Sequence, residues 1–246
     1  MALLETSHLS KSFGGLQATR DVSMSIEQGE VRGLIGPNGA GKTTFANVIT
    51  GIYAPDAGEV RLRGERIEGS RPNRIAKRGM LRTFQNTRLF GNLSARQNLL
   101  ATYHAWRGIW GAAGFSHEGS ERAGHLLGLA RLTSIADLPA RALSGGQRAL
   151  LQLATGFMHP DLAVYVLDEP FAGINPVFVE TILELLEHHK QHRGVAYVVI
   201  SHEMEIMRRI CDRVSVMIDG ALFFEGTLDE VAAHEGVIDA YLGRVG

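Results

Sequence analysis

The eight residues Gly36-Pro37-Asn38-Gly39-Ala40-Gly41-Lys42-Thr43 carry the spacing Gly-x4-Gly-Lys-[Ser/Thr], which suits a loop that wraps phosphate groups. Glycines let backbone N–H groups curl around an anion, and the helix start that follows adds partial positive charge. Lys42 brings a mobile ammonium to β- and γ-phosphates. Its type is informative because the chain otherwise favours arginine, with Lys11, Lys77 and Lys190 the other lysines. Thr43 offers a hydroxyl to Mg²⁺, and Thr44 follows in the same turn. Far along the chain, the apolar run Val164 to Leu167 ends in Asp168-Glu169. A carboxylate just past a buried strand suits Asp168 to hold a metal, and its neighbour Glu169 is placed to take a proton from attacking water. His202 follows the next apolar run, Ala196 to Ile200, where it would touch a γ-phosphate. Leu143-Ser144-Gly145-Gly146-Gln147-Arg148 is a second glycine-rich helix start, with Ser144 as its cap.

Other histidines carry less. His202-Glu203-Met204-Glu205-Ile206 lacks the second histidine of a zinc-binding HExxH. His188 and His192 stand four apart on a helix without further ligands, and read as solvated surface.

These residues need a sheet to bring them together. The runs 164–167 and 196–200 are apolar at every position, as in parallel strands buried on both faces. Between them lies a crossover helix: Asn175 caps it, Pro176 takes the first turn, and Gly194 stops it. Phe178, Ile182, Leu185 and Leu186 form its apolar stripe, with Glu180, Glu184 and Glu187 facing away. In such open sheets ligands collect beyond the carboxyl ends of the strands. The phosphate loop fits that rule, following an expected strand Val31–Ile35 and opening a helix with Phe45, Val48 and Ile49 on one face. Short mixed strands at Leu3–Ser10, Val22–Ile26 and Val60–Leu62 make the first 65 residues β-rich. Thereafter the pattern is helical, opening at Pro72 and continuing over Ala95–Tyr103 and Glu121–Leu132. Leu150, Leu153, Ala154 and Phe157 form a stripe behind the Ser144 helix start.

At 246 residues, with 45% hydrophobic and 21% charged, the chain is an ordinary globular sequence without repeats. Its single cysteine, Cys211, excludes an intrachain disulfide and a cysteine-based zinc cluster. The longest apolar run, Leu162–Leu167, is far short of the ~20 residues of a membrane span, and the start lacks the pattern of a secretory signal, so a cytosolic location is expected. Net charge is −1, which argues against a nucleic-acid-coating protein. Segment 61–88 departs from that balance, with eight arginines and Lys77 against Glu65 and Glu68. It reads as a face for a membrane surface or an acidic partner, or as a solvated arginine face. Trp106, Ile109 and Trp110 at helical spacing, with Phe115, form either an apolar docking patch or ordinary packing.

The phosphate loop, the LSGGQ sequence, Val-Leu-Asp-Glu-Pro and His202 occur in the order of ATP-binding-cassette (ABC) ATPases, which the sequence resembles over nearly its whole length. The resemblance implies an α/β P-loop NTPase core of ABC type with an N-terminal antiparallel β region and a helical subdomain insertion. Residues 1–246 would form a single domain, with 1–88 and 161–246 as nucleotide-binding core and 89–160 as the helical subdomain bearing the signature. ATP and Mg²⁺ are the implied cofactors. Gln85, in Arg82-Thr83-Phe84-Gln85-Asn86, matches the residue that touches metal and attacking water, and Phe13 matches the aromatic that stacks on adenine. The catalytic set would be Glu169, His202 and Gln85, and the metal set Thr43, Gln85 and Asp168. The nucleotide would be held by Phe13, the loop from Gly36 to Thr44 and, from another subunit, Ser144, Gly145, Gly146 and Gln147. A head-to-tail dimer with the same or a homologous chain follows.

Arg82 to Phe90, Ala172 to Pro176 and Ala240-Tyr241-Leu242-Gly243 are most similar to ATPase subunits of high-affinity branched-chain amino-acid importers. Asn175 stands where many cassettes have aspartate, and Glu203 where aspartate is frequent. That resemblance implies integral membrane permease subunits, indirectly an extracytoplasmic solute-binding protein, no nucleic acid, and a peripheral place on the cytoplasmic face of the inner membrane. A urea, amide or lipid transporter is the nearest alternative. A soluble non-transport ABC ATPase would usually show a second cassette or a long coiled coil, and a GTPase the NKxD sequence; neither pattern occurs.

Overall fold

The computed structural model describes residues 2–83, 89–107 and 117–241. Its elements run β1 (Leu4–Phe13), β2 (Leu16–Ile26), β3 (Val31–Ile35), α1 (Lys42–Ile49), β4 (Ala57–Leu62), β5 (Glu65–Arg66), α2 (Pro72–Lys77) and β6 (Met80–Arg82). Then come α3 (Ala95–Arg107), α4 (His117–Leu129), α5 (Gly145–Phe157), β7 (Val164–Asp168), α6 (Pro176–Arg193), β8 (Ala196–Ile200), α7 (Met204–Ile210), β9 (Arg213–Ile218), β10 (Ala221–Gly226), α8 (Leu228–Ala233) and α9 (Glu235–Tyr241). Between β6 and β7 every described helix or strand is helical.

An antiparallel sheet in the order β2-β1-β4-β5 lies beside a six-stranded sheet ordered β10-β9-β3-β8-β7-β6. In the larger sheet β9, β3, β8, β7 and β6 are parallel, and β10 closes the edge antiparallel to β9. Alternation along the apolar strands sorts their side chains between two cores. Val164, Val166, Ala196, Val198 and Ile200 pack with α1 and the antiparallel sheet. Tyr165, Leu167, Tyr197 and Val199 face the layer of α3, α4, α5 and α6.

The crossover helix forms as its sequence signals require. Asn175 accepts the Val177 N–H at 3.0 Å, Pro176 stands in the first turn, and Gly194 ends the helix at φ 62°. Phe178 is half-buried, and its ring lies over Gly146, where a Cβ would come within 2.3 Å of it. The first two strands run further than the apolar pattern suggests, since their outer halves pair as a hairpin while one face stays exposed. The helix expected over Glu121–Leu132 begins at His117 and ends at Leu129. Strands β5, β6, β9 and β10 have no counterpart among the strands expected from the sequence.

Candidate functional site

The phosphate loop leaves the central strand β3 and is held tightly from behind. Gly36 sits at φ 149°, where a Cβ would stand 2.1 Å from the Met217 carbonyl oxygen on β9. Gly41 sits at φ 96°, where a Cβ would stand 2.1 Å from the Ala18 carbonyl oxygen on β2. No side chain larger than hydrogen fits either place. The turn joining β9 to β10 adds a bond, Gly220 N–H to Ala40 O at 3.1 Å. At the start of α1, no side chain caps the first-turn N–H groups and no acidic residue stands beside them. Lys42 is 8% exposed. Its Nζ donates to the carbonyls of Gly36 at 2.6 Å and Pro37 at 2.9 Å. Burial lowers its pKa, while Glu169 and Asp168 oppose the shift.

At the end of β7, the Asp168 carboxylate pairs with the Arg82 guanidinium at 2.6 Å, and the Asp168 N–H donates to Thr83 Oγ1 at 3.1 Å. Glu169 turns the chain out of the sheet at φ 50°, a left-handed conformation uncommon for a side-chain-bearing residue. Its N–H donates to Ile200 O at 2.8 Å, which ties the turn to the end of β8. His202, past that end, places Nε2 3.2 Å from Glu169 Oε1.

These strand ends share one cavity of about 690 Å³ with the loop residues Asn38 to Thr44. Asp168, Glu169 and His202 line its far side, and Phe13 its rim. Phe13 is 44% exposed, and its ring meets Tyr53 edge-on, 5.1 Å between centroids. Gly36 and Pro37 stay behind the cavity, where their carbonyls hold Lys42. Gln17, Ala18 and Asp219 also line it and were missed by the sequence reading. The Asp219-Gly220 pair signals a hairpin turn, yet nothing local indicates that this turn reaches the loop. The Thr43 hydroxyl and the Asp168 carboxylate are hard oxygen donors, a set that suits Mg²⁺. No cluster of three or more His, Cys, Asp or Glu side chains able to cage a metal occurs among the described residues. A metal here would therefore take its remaining oxygens from phosphate and water.

The family model for the ABC transporter matches residues 19–172, a span that contains the phosphate loop, the signature and Asp168-Glu169. This chain belongs to the ABC transporter family. It is 37% identical to the high-affinity branched-chain amino acid transport ATP-binding protein BraF of Pseudomonas aeruginosa, over 98% of both chains. It is 35% identical to the corresponding protein LivG of Escherichia coli K12, again over 98% of each. The crystal structure of MJ1267, an ATP-binding cassette of an ABC transporter in its ADP conformation, matches with a TM-score of 0.88 and 30% identity over 99% of both chains. The protein is thus an ABC ATPase that binds nucleotide.

In this cassette the signature does not join the phosphate cavity. Ser144 caps α5 by accepting the Gln147 N–H at 3.3 Å, and Gln147 Oε1 accepts the Ser144 N–H at 2.8 Å. Gln147, expected to face a nucleotide, is turned back onto its own helix. Gly145 borders a separate cavity of about 220 Å³ that also reaches Asp168, Glu169 and Gly173. Gln85 lies outside the described residues, as do Ile109, Trp110 and Phe115. Trp106 is half-buried, edge-on to His159 with centroids 4.7 Å apart. In the basic segment, Arg61 and Arg66 pair with Glu59, and Arg66 also with Glu68. Arg71, Arg74 and Lys77 on and beside α2 are exposed and make no ion pair among the described residues. No described helix is long and apolar enough to cross a membrane.

Proposed function

We propose that this chain is the ATP-hydrolysing subunit of an importer for branched-chain or related amino acids, seated on membrane-embedded permease subunits at the cytoplasmic face. A solute-binding protein on the other side would deliver the cargo. The reading rests on one observation: the open helix start of α1, Asp168, Glu169 and His202 converge on a single cavity, while the signature carries its own cap and borders a separate one. One chain therefore holds the phosphates from one side, and a second cassette, the same or homologous, supplies Ser144, Gly145 and Gly146 from the other. The single-domain division, with 89–160 as helical subdomain, belongs to the same proposal.

In this mechanism Lys42 swings from the Gly36 and Pro37 carbonyls to the β- and γ-phosphates, a short movement of a flexible stem. The loop N–H groups bind the same phosphates, and Phe13 stacks on the adenine. Glu169 accepts the proton of the attacking water, and His202 lies close enough to Glu169 to orient it and meet the γ-phosphate. Thr43 and Asp168, with Gln85, would hold Mg²⁺, which when bound neutralises charge on the phosphates. Glu169→Gln should keep nucleotide binding and slow turnover by about 100-fold or more, measured as phosphate release beside binding of a fluorescent ATP analogue. Wild-type turnover would remove Glu169 from its role. The permease and binding protein recovered with the intact complex would identify the cargo.

A further inference from the structure

The pair between Arg82 and Asp168 is more than the end of a strand requires. Both side chains are 6% exposed. The guanidinium forks, one nitrogen donating to Asp168 Oδ2 and the other to Asn47 Oδ1 on α1. Its Nε is buried and has no partner among the described residues. A buried charge pair with an orphaned donor is a poor source of stability, since apolar residues of similar volume in place of both members often serve as well or better. What an apolar residue could not do is give a buried carboxylate a counter-charge. The backbone reinforces the hold: Thr83 Oγ1 accepts the Asp168 N–H, and the Thr83 N–H donates to Val166 O at 2.9 Å. Lys42, the buried cation that lines the phosphate cavity, is committed to loop carbonyls instead.

We propose that Arg82 is a positioning residue, the resident counter-cation that holds the Asp168 carboxylate in place before nucleotide arrives and that competes with Mg²⁺ for it. The proposal rests on the reading of Asp168 as the metal-holding carboxylate. Two cations cannot both approach one buried carboxylate at full strength, so Arg82 sets how much Mg²⁺ closing the site requires. Its attachment to Asn47 keeps it from leaving altogether.

The test is a titration of free Mg²⁺ at saturating concentration of a fluorescent, non-hydrolysable ATP analogue, with the midpoint read from fluorescence. Arg82→Met should lower the midpoint by about fivefold or more, because the competitor is gone while the carboxylate stays. The same variant should melt earlier without nucleotide. Arg82→Lys keeps the charge and should hold the midpoint within about twofold of wild type. Should the methionine variant fail to fold, Arg82→Gln, neutral but still able to donate a hydrogen bond, carries the same expectation. An unchanged or raised midpoint in the neutral variants overturns the proposal, as does a lysine variant that behaves like them. Asp168→Asn separates this failure from that of the underlying reading. If it raises the midpoint while the neutral variants do not move it, the Arg82 inference alone falls; if it leaves the midpoint unchanged, Asp168 is not the metal carboxylate.

Discussion

Two helices of this cassette begin on glycine-rich turns and treat their first N–H groups in opposite ways. At α1, Gly41 carries no capping side chain, and the donors are left for a ligand. At α5, Ser144 and Gln147 satisfy each other's backbone N–H groups in a closed capping box. The two signature glycines also divide the work. A Cβ at Gly145 would meet nothing within 4 Å, whereas Gly146 is pressed against Phe178. Glycine-rich sequence therefore marks a close backbone approach in both places, but the partner differs. Before α1, Gly36 and Gly41 are pressed against carbonyls of β9 and β2 while the first-turn N–H groups stay uncapped, and at α5 Gly146 is pressed against a side chain of the neighbouring helix. On the proposed reading, the open start is the chain's own phosphate site and the capped one completes a partner's.

The sharpest way to break this contrast is Ser144→Arg. In the assembled transporter, turnover should fall by about 100-fold or more, because a bulky cation replaces a short donor and acceptor where the proposed dimer grips the γ-phosphate. ATP affinity of the isolated chain should stay within about twofold, since Ser144 is outside the phosphate cavity. Normal turnover in the assembly would make the capped helix start irrelevant to the chemistry. Lys42→Ala probes the open start. It should weaken ATP binding about 10- to 100-fold, read by analogue fluorescence, through loss of a charge-assisted contact. Unchanged affinity would leave α1 without its role.

A third test of the contrast concerns acid. His159 and His189, the two histidines among the buried polar residues, both lie against the α5 side of the molecule. His189 stacks on Phe157 at 3.7 Å, and burial pushes its pKa down to about 3. Burial likewise lowers His159 to about 4. Both folded values lie below the ordinary 6.5, so their contribution is fully present above that pH and is lost as the solution is acidified toward the folded values. About 2 kcal/mol for each histidine should have gone by pH 5, seen as a lower urea midpoint than at pH 7.5. Amide-exchange protection should fall in α5 before α1. Equal loss in both helices would erase this difference between the two regions.

Much of the site was legible because each of its parts is local. The phosphate loop is contiguous, and Asp168-Glu169 and His202 directly follow runs apolar enough to be strands. What stayed hidden depends on contacts between distant segments. Nothing near Asp219-Gly220 indicates that the turn braces Ala40, and nothing near Gln17 or Ala18 places them at the cavity. β6 is three residues long and has no period to detect, so the Arg82 guanidinium could not be set beside Asp168. Gln147 was assigned to a nucleotide by its place in the signature; the capping box that occupies it follows from a spacing of three, which serves helix ends generally.

The position of β3 bears on how the molecule is made. Leu34 lies between Ile200 on β8 and Ser215 on β9, so both neighbours of the strand that carries the phosphate loop come from the far end of the chain. On the ribosome, Val31–Ile35 emerges early and then waits unpaired. At synthesis rates of about 5–20 residues per second, that wait is roughly ten seconds to half a minute. Nucleotide cannot shorten it, because Asp168 and His202 are themselves still to be translated. The apolar strand must be shielded meanwhile by the antiparallel hairpin or a chaperone, and a chain cut short before β8 leaves it bare.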